Sequence, residues 1–182
     1  MQLRGVKNLV PAIATSDGAG VKLNRTIGGP ASDKMCAPRY QNLTTEEIPE
    51  VDGGAGVEIR VIAGEAGGIS GAVSGIDVEP LYLDILLPGE TEHVQPAPEG
   101  HTALCYVFEG DVAVVDPVAD SVADSVVEVP HHTLAVLGAD GGRALLIAGQ
   151  PLGEPVVRYG PFVMNTREEI AQTIDDFRAG RF

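Results

Sequence analysis

The side chains of this 182-residue chain with the most obvious capacity for chemistry are four histidines and two cysteines. An imidazole carries protons near neutral pH and binds metals, but only when its neighbours converge on the same point. His131 and His132 are the only histidine pair. Adjacent strand residues point to opposite faces, and Pro130 favours a loop, so plain solvation is expected there rather than a surface metal contact. His93 follows Glu90 and Glu92 in a turn after Gly89, and is expected in solvent. Cys36 and Cys105 lie far apart with no CxxC spacing, as in a reduced protein with unpaired thiols. Cys105 falls inside an apolar run, where a thiol is inert rather than nucleophilic. The chain has no nucleophile elbow, phosphate loop or dinucleotide fingerprint. Gly64-Glu65-Ala66-Gly67-Gly68 is glycine-rich, but nothing after it reads as a helix, so it is a turn.

The elements that must position these groups are mostly strands. Val57 to Ala63 alternates as a half-buried strand, and Leu81 to Leu87 forms another, stopped by Pro88-Gly89. Thr102 to Phe108, Val112 to Val115, Leu134 to Leu137, Ala144 to Ala148 and Val156 to Tyr159 continue the series. Many short strands divided by Gly, Pro and Asp turns predict an all-β sandwich or barrel. The one clear helix spans 166–179: Thr166-Arg167-Glu168-Glu169 is a capping box, Ile170, Ile174 and Phe177 form an apolar stripe, and Gly180 closes it. Residues 1–39 differ in character: an alternating strand near Val21 to Ile27, then a Gly-Gly-Pro break and a polar linker. Such an arm must add to a sheet elsewhere.

Composition narrows the function. With 26 acidic residues against 12 Lys and Arg, the formal charge is −14. That field repels nucleic-acid phosphates and anionic lipid, so no direct nucleic-acid or membrane partner is expected. Solubility is the plain reading of the charge and a basic partner surface the sharper one. Apolar residues make up 44% and aromatics 4%, without Trp, so the core is built from Val, Ile, Leu and Ala. No apolar run approaches the roughly 20 residues needed to span a membrane, and Leu9 to Ala14 is too short for a signal-peptide core; a cytoplasmic location is expected.

The segment Gly149-Gln150-Pro151-Leu152-Gly153-Glu154-Pro155-Val156-Val157-Arg158-Tyr159-Gly160-Pro161-Phe162-Val163-Met164-Asn165-Thr166 resembles the C-terminal signature of the pirin family. Tyr40 to Leu43 and Arg60 to Gly64 resemble the start of the same domain, and Gly18 to Ile27 resembles the opening of a pirin. The resemblance implies a single cupin-type double-stranded β-helix barrel over 40–182, with a C-terminal α-helix and an N-terminal strand arm. Full-length pirins resemble two such barrels in tandem, the first holding a metal between histidines and a glutamate. Here Thr26 to Gly29 runs almost directly into Asp33 to Tyr40. The stretch that would supply most of the first barrel, on the order of a hundred residues, is missing. Either the protein is a natural short member or an internal deletion removed that stretch.

In pirin-like metal barrels the pattern is His-x-His, three residues, Glu, six residues, then Glu-Gly. Placing Glu109-Gly110 on that template puts Pro96 and Pro98 at the histidine positions and Thr102 at the glutamate. None is a good ligand for the iron-like ions that nitrogen and carboxylate sets bind. No metal and no other cofactor is therefore expected. On the same parity Leu104, Tyr106 and Phe108 join Thr102 in filling the lumen, with Tyr106 able to turn its hydroxyl to a ligand, and His101 points away.

The resemblance implies a binding or regulatory module acting through a protein partner, with no catalytic residues. The alternatives are a pirin-type dioxygenase acting on quercetin through a non-standard metal site, and a degenerate remnant without activity. Loss of a sister barrel would bare an apolar side, which predicts a homodimer with the arm added across the interface or onto its own sheet.

Overall fold

The structure, a computed structural model, describes residues 21–24, 30–33, 40–76, 78–115, 122–123, 126–129 and 133–181. Its strands are β1 (Val21–Asn24), β2 (Tyr40–Leu43), β3 (Glu50–Gly54), β4 (Val57–Ala63), β5 (Glu65–Ala66), β6 (Ile69–Ser70) and β7 (Leu81–Leu87). They continue with β8 (Thr91–Pro96), β9 (Thr102–Val115), β10 (Val122–Ala123), β11 (Val126–Val129), β12 (Thr133–Gly149), β13 (Val157–Tyr159) and β14 (Phe162–Met164). One α-helix follows, α1 (Arg167–Arg178). No helix among the described residues is long and apolar enough to cross a membrane.

The chain groups into two compact units: Lys22–Asn42 goes with Leu152–Phe182, and Leu43–Pro151 forms the other. The larger unit is an antiparallel sheet ordered β10-β9-β12-β7-β4-β3, with β11 on β9 and β8 on β12. Two long strands organise it. β12 runs for 17 residues and β9 for 14, where the sequence pattern predicts two shorter strands in each case. Near its end β12 pairs with β7 and the start of β9; near its beginning it pairs with β8 and the end of β9. The hairpin thus serves two sheet regions, and the turn between them falls where its register shifts.

Those shifts have a steric origin. Gly138 pairs with Val112 and Gly142 with Gly110, so three residues of β12 oppose one of β9. Arg143 then pairs with Glu109 and Ala144 with Val107, which leaves Phe108 as an extra residue bulged out of β9. Gly110 has φ 73°, and a Cβ there would crowd the Gly141 carbonyl and lie 2.6 Å from Gly142 Cα. Glycine is required because the two backbones meet there.

The apolar alternation of each strand faces one core. Val57, Ile59 and Val61 of β4, Leu81, Leu83, Ile85 and Leu87 of β7, Ala103 and Cys105 of β9, and Ala144, Leu146 and Ala148 of β12 form a continuous buried cluster. β4 and β7 coincide with the strands expected from the alternation of Val57 to Ala63 and from the apolar run Leu81 to Leu87. β3 has no such signal, because Glu50-Val51-Asp52-Gly53-Gly54 carries a single apolar residue.

In the smaller unit, β1 pairs with β2 and β13 with β14. The Thr166 hydroxyl accepts from the Glu169 amide at 3.1 Å, and the Glu169 carboxylate accepts from the Thr166 amide at 2.8 Å, closing the expected capping box. Ile170 is buried as expected. Phe177 is 62% exposed, with an edge-on contact to Phe162, and Thr173 is the buried residue of that turn. The Glu154 carboxylate accepts from the Ala31 amide at 2.9 Å and from Asn165 Nδ2 at 2.9 Å, tying residues distant in sequence.

Gly110→Ala should lower the unfolding free energy by more than about 2 kcal/mol, since it adds backbone overlap to a positive-φ cost of about 1–3 kcal/mol. Gly100→Ala, where φ is 78° but nothing lies within 4 Å, should cost about 1 kcal/mol. Urea unfolding of the two variants measures both; equal losses would contradict the crowding at the bulge.

Candidate functional site

The interior of the larger unit is the natural place to look for a site, and its inward face differs from the expected one. Along β8, Thr91 and Gln95 are buried, His93 is half-buried, and Ala97 just beyond the strand packs on the core. Pro96 and Pro98 are exposed. Along β9 the core members are Ala103, Cys105 and, beyond the bulge, Val112, with Val107 packed against them. Thr102 and Leu104 are only half-buried, and Tyr106 and Phe108 are 45% and 39% exposed. The expectation that Pro96, Pro98, Thr102, Leu104, Tyr106 and Phe108 line the lumen is therefore corrected by one residue. Counting back from Glu109-Gly110 assumes an unbroken strand, and the bulged Phe108 breaks the period of two.

The corrected inward face is equally poor in ligands. His93 supplies one imidazole, standing against β3: a Cβ on Gly53 would lie 3.2 Å from His93 Cε1. Its Nε2 is 3.4 Å from Gln95 Oε1, and Gln95 Nε2 donates to the Pro96 carbonyl at 3.2 Å. The Thr91 hydroxyl donates to the Gly89 carbonyl at 3.3 Å. Ala97, Ala103 and Cys105 complete the row. One imidazole, an amide and a hydroxyl lack the second nitrogen and the carboxylate that an iron-like ion requires. Among the described residues, no three His, Cys, Asp or Glu side chains stand close enough to hold a metal. The described residues of this face do not fit a cupin metal.

Two further reactive groups among the described residues, Cys105 and Tyr82, are buried. Cys105 is fully buried, and burial pushes its thiol up to about 12. Burial, with the Asp84 charge second, pushes the Tyr82 phenol up to about 12. Neither is a nucleophile or base at neutral pH. His101 is outside the interior: its Nε2 lies 3.0 Å from the Glu79 carbonyl, with Glu79 held at φ 44°. His131 and His132 fall outside the described residues.

The opposite face of the sheet holds an arrangement that the residue types alone do not reveal. Asp84 is buried in β7, and Arg143 of β12 grips it with both edges of a fork: Nε to Oδ1 at 2.7 Å and Nη2 to Oδ2 at 2.5 Å. The Asp84 hydrogen bond raises the guanidinium pKa above its ordinary value, against the effect of burial. The Arg143 guanidinium lies over the Phe108 ring at 5.6 Å, and Phe108 stacks beside Tyr106 with centroids 6.5 Å apart. The sequence signal is an Asp inside Leu-Tyr-Leu-Asp-Ile-Leu-Leu, a charge that an apolar strand keeps only when paired.

Comparison with known proteins identifies the family and the fold. The Pirin C-terminal cupin domain matches residues 82–182. A pirin-like protein of Caulobacter vibrioides is 40% identical over 84% of this chain and 55% of its own length. The pirin of Mus musculus is 46% identical over 81% of this chain and 52% of its own. The chain spans about half the length of the curated relatives it matches. A crystal structure of quercetin 2,3-dioxygenase from Acinetobacter baumannii superposes with a TM-score of 0.75 at 34% identity, covering 86% of this chain and 55% of that one. With that likeness, the predominantly antiparallel strands and the single terminal helix constitute an all-β cupin fold.

Two measurements check the charged and titrating groups. Arg143→Met should cost about 3–5 kcal/mol by stranding Asp84, whereas adding Asp84→Leu should recover most of that loss; a double variant as unstable as the single one would contradict the pairing. Cys105 and Tyr82 are held neutral in the folded chain above their ordinary values of 9.0 and 10.0, so the stability they lend is complete below about 9 and is lost as pH rises towards 12. Unfolding followed across that range should show the fall, and Cys105→Ala should make it shallower.

Proposed function

The chain belongs to the pirin family, and from that premise we propose that it is a metal-free, non-catalytic cupin that works by binding, as a regulatory module. The observation carrying this reading is the inward face itself: His93, Gln95, Ala97, Ala103 and Cys105 offer one imidazole and no carboxylate where a cupin catalyst needs several donors. A dioxygenase must hold an ion that handles oxygen, and this donor set binds none tightly. Cys105 and Tyr82 are buried and neutral, so neither serves as an activated nucleophile in place of a metal. The charge of −14 directs a regulatory role through protein contacts rather than nucleic acid.

The competing reading is the activity for which the Acinetobacter baumannii protein is named, quercetin 2,3-dioxygenase, carried by a non-standard site. The relatives' additional length is where their chemistry would reside under the binding reading. Elemental analysis of purified protein incubated with Fe(II), Mn(II) and Ni(II), then freed of excess ion, separates the two. The expected content is below about one-tenth of an equivalent per chain, with no quercetin-dependent oxygen uptake. Stoichiometric iron together with oxygen uptake would overturn the proposal.

A further inference from the structure

The outward face of the β4-β7-β12-β9 sheet carries exposed apolar side chains around the Asp84–Arg143 pair, with Glu58 and Glu109 on its two flanking strands. Across one row the register places Glu58, Leu86, Arg143 and Glu109 side by side; in the next it places Arg60, Asp84, Leu145 and Tyr106. Leu86, Tyr106 and Phe108 are 40%, 45% and 39% exposed. Phe108 reaches this face because the bulge turns it outward, and the guanidinium of Arg143, itself fixed on buried Asp84, holds the ring from below. The aromatic centre is therefore preorganised, as the anchor of a binding surface must be.

Charge identifies the occupant. Three carboxylates, Asp84, Glu109 and Glu58, act on the one guanidinium of Arg143. Asp84 takes up that positive charge, and neither Glu58 nor Glu109 is in a salt bridge among the described residues. Arg60 is committed to Glu50 at 2.7 Å. The rim thus keeps two unneutralised carboxylates beside exposed rings, on a chain whose formal charge is −14. A second copy would bring the same acidic rim and the same net charge against it, a repulsive match. A segment with apolar side chains on one face and Lys or Arg flanking them matches both features.

We propose that the Leu86–Tyr106–Phe108 face, rimmed by Glu58 and Glu109, docks a basic amphipathic segment of a partner protein. This deepens the reading of the chain as a binding module and rests on it. The aromatic rings supply the desolvated contact and the rim carboxylates supply orientation and approach rate.

The test uses the full chain and two dansylated helical peptides, one of Leu and Lys and one of Leu and Glu, with binding followed by fluorescence anisotropy. The Leu/Lys peptide should bind with an affinity that falls as salt rises, and the Leu/Glu peptide should not bind. Tyr106→Ser with Phe108→Ser leaves the charge unchanged and should weaken the Leu/Lys complex at least about tenfold. Glu58→Gln with Glu109→Gln should also weaken it, while Glu65→Gln with Glu99→Gln, outside that face, should leave it within about twofold. Circular dichroism verifies that each variant is folded, and the charge pair tests the face independently should the aromatic pair unfold. Three results would overturn the proposal: equal binding of the acidic peptide, binding indifferent to Tyr106 and Phe108, or a dimer in sedimentation that Tyr106→Ser with Phe108→Ser dissociates, which would give the face to a second copy. Iron binding and quercetin turnover report separately on the reading beneath it, so a chain that turned over quercetin yet held the peptide here would lose the one and keep the other.

Discussion

The crowding of backbone on backbone at Gly110 and Gly142 is the constraint from which the rest of the larger unit follows. Side chains alternate along a strand, so one inserted residue sends every position beyond it to the opposite face. The bulge at Phe108 is that insertion. It assigns Ala103, Cys105 and Val107 to the core and leaves Tyr106 and Phe108 outside. A barrel interior and a surface patch are thereby decided by the same few atoms of main chain.

The two faces have different physics. Inside, Leu, Ile, Val and Ala surround a fully buried thiol, and burial alone keeps that thiol protonated. Outside, a single buried carboxylate needs the Arg143 fork, and the fork in turn presents its face to an aromatic ring. A buried ion pair is weak evidence for stability, because desolvating two charges offsets most of their attraction. Its consequence here is geometric. It places the guanidinium over the ring of Phe108, which stacks beside Tyr106.

Much of this is legible in the residues. The alternation of Val57 to Ala63 and the apolar run Leu81 to Leu87, stopped by Pro88-Gly89, have limits that match β4 and β7. The Thr166 and Glu169 capping box announces α1, because its signal is local and needs no partner element. The interior is legible in kind but not in detail. At these template positions Pro96, Pro98 and Thr102 are no better as metal ligands than Gln95, Ala97 and Ala103. Which of those sets faces inward depends on a bulge created by contact between residues 109–110 and 141–142, and no periodicity within one strand reports such a contact. The Asp84–Arg143 pair is hidden for a related reason: its members are 59 positions apart and meet only once β7 and β12 pair.

Both faces depend on which residues of β9 look inward. Single cysteines placed in turn at 103, 104, 106, 107 and 108, in a background with Cys36 and Cys105 replaced by Ser and Ala, would show it through their rates of thiol labelling under native conditions. Fast labelling at 104, 106 and 108, with 103 and 107 silent until the protein unfolds, is the predicted pattern. Fast labelling at 103 and 107, with 104 and 106 protected, would place Thr102, Leu104 and Tyr106 back inside and contradict the assignment of both faces.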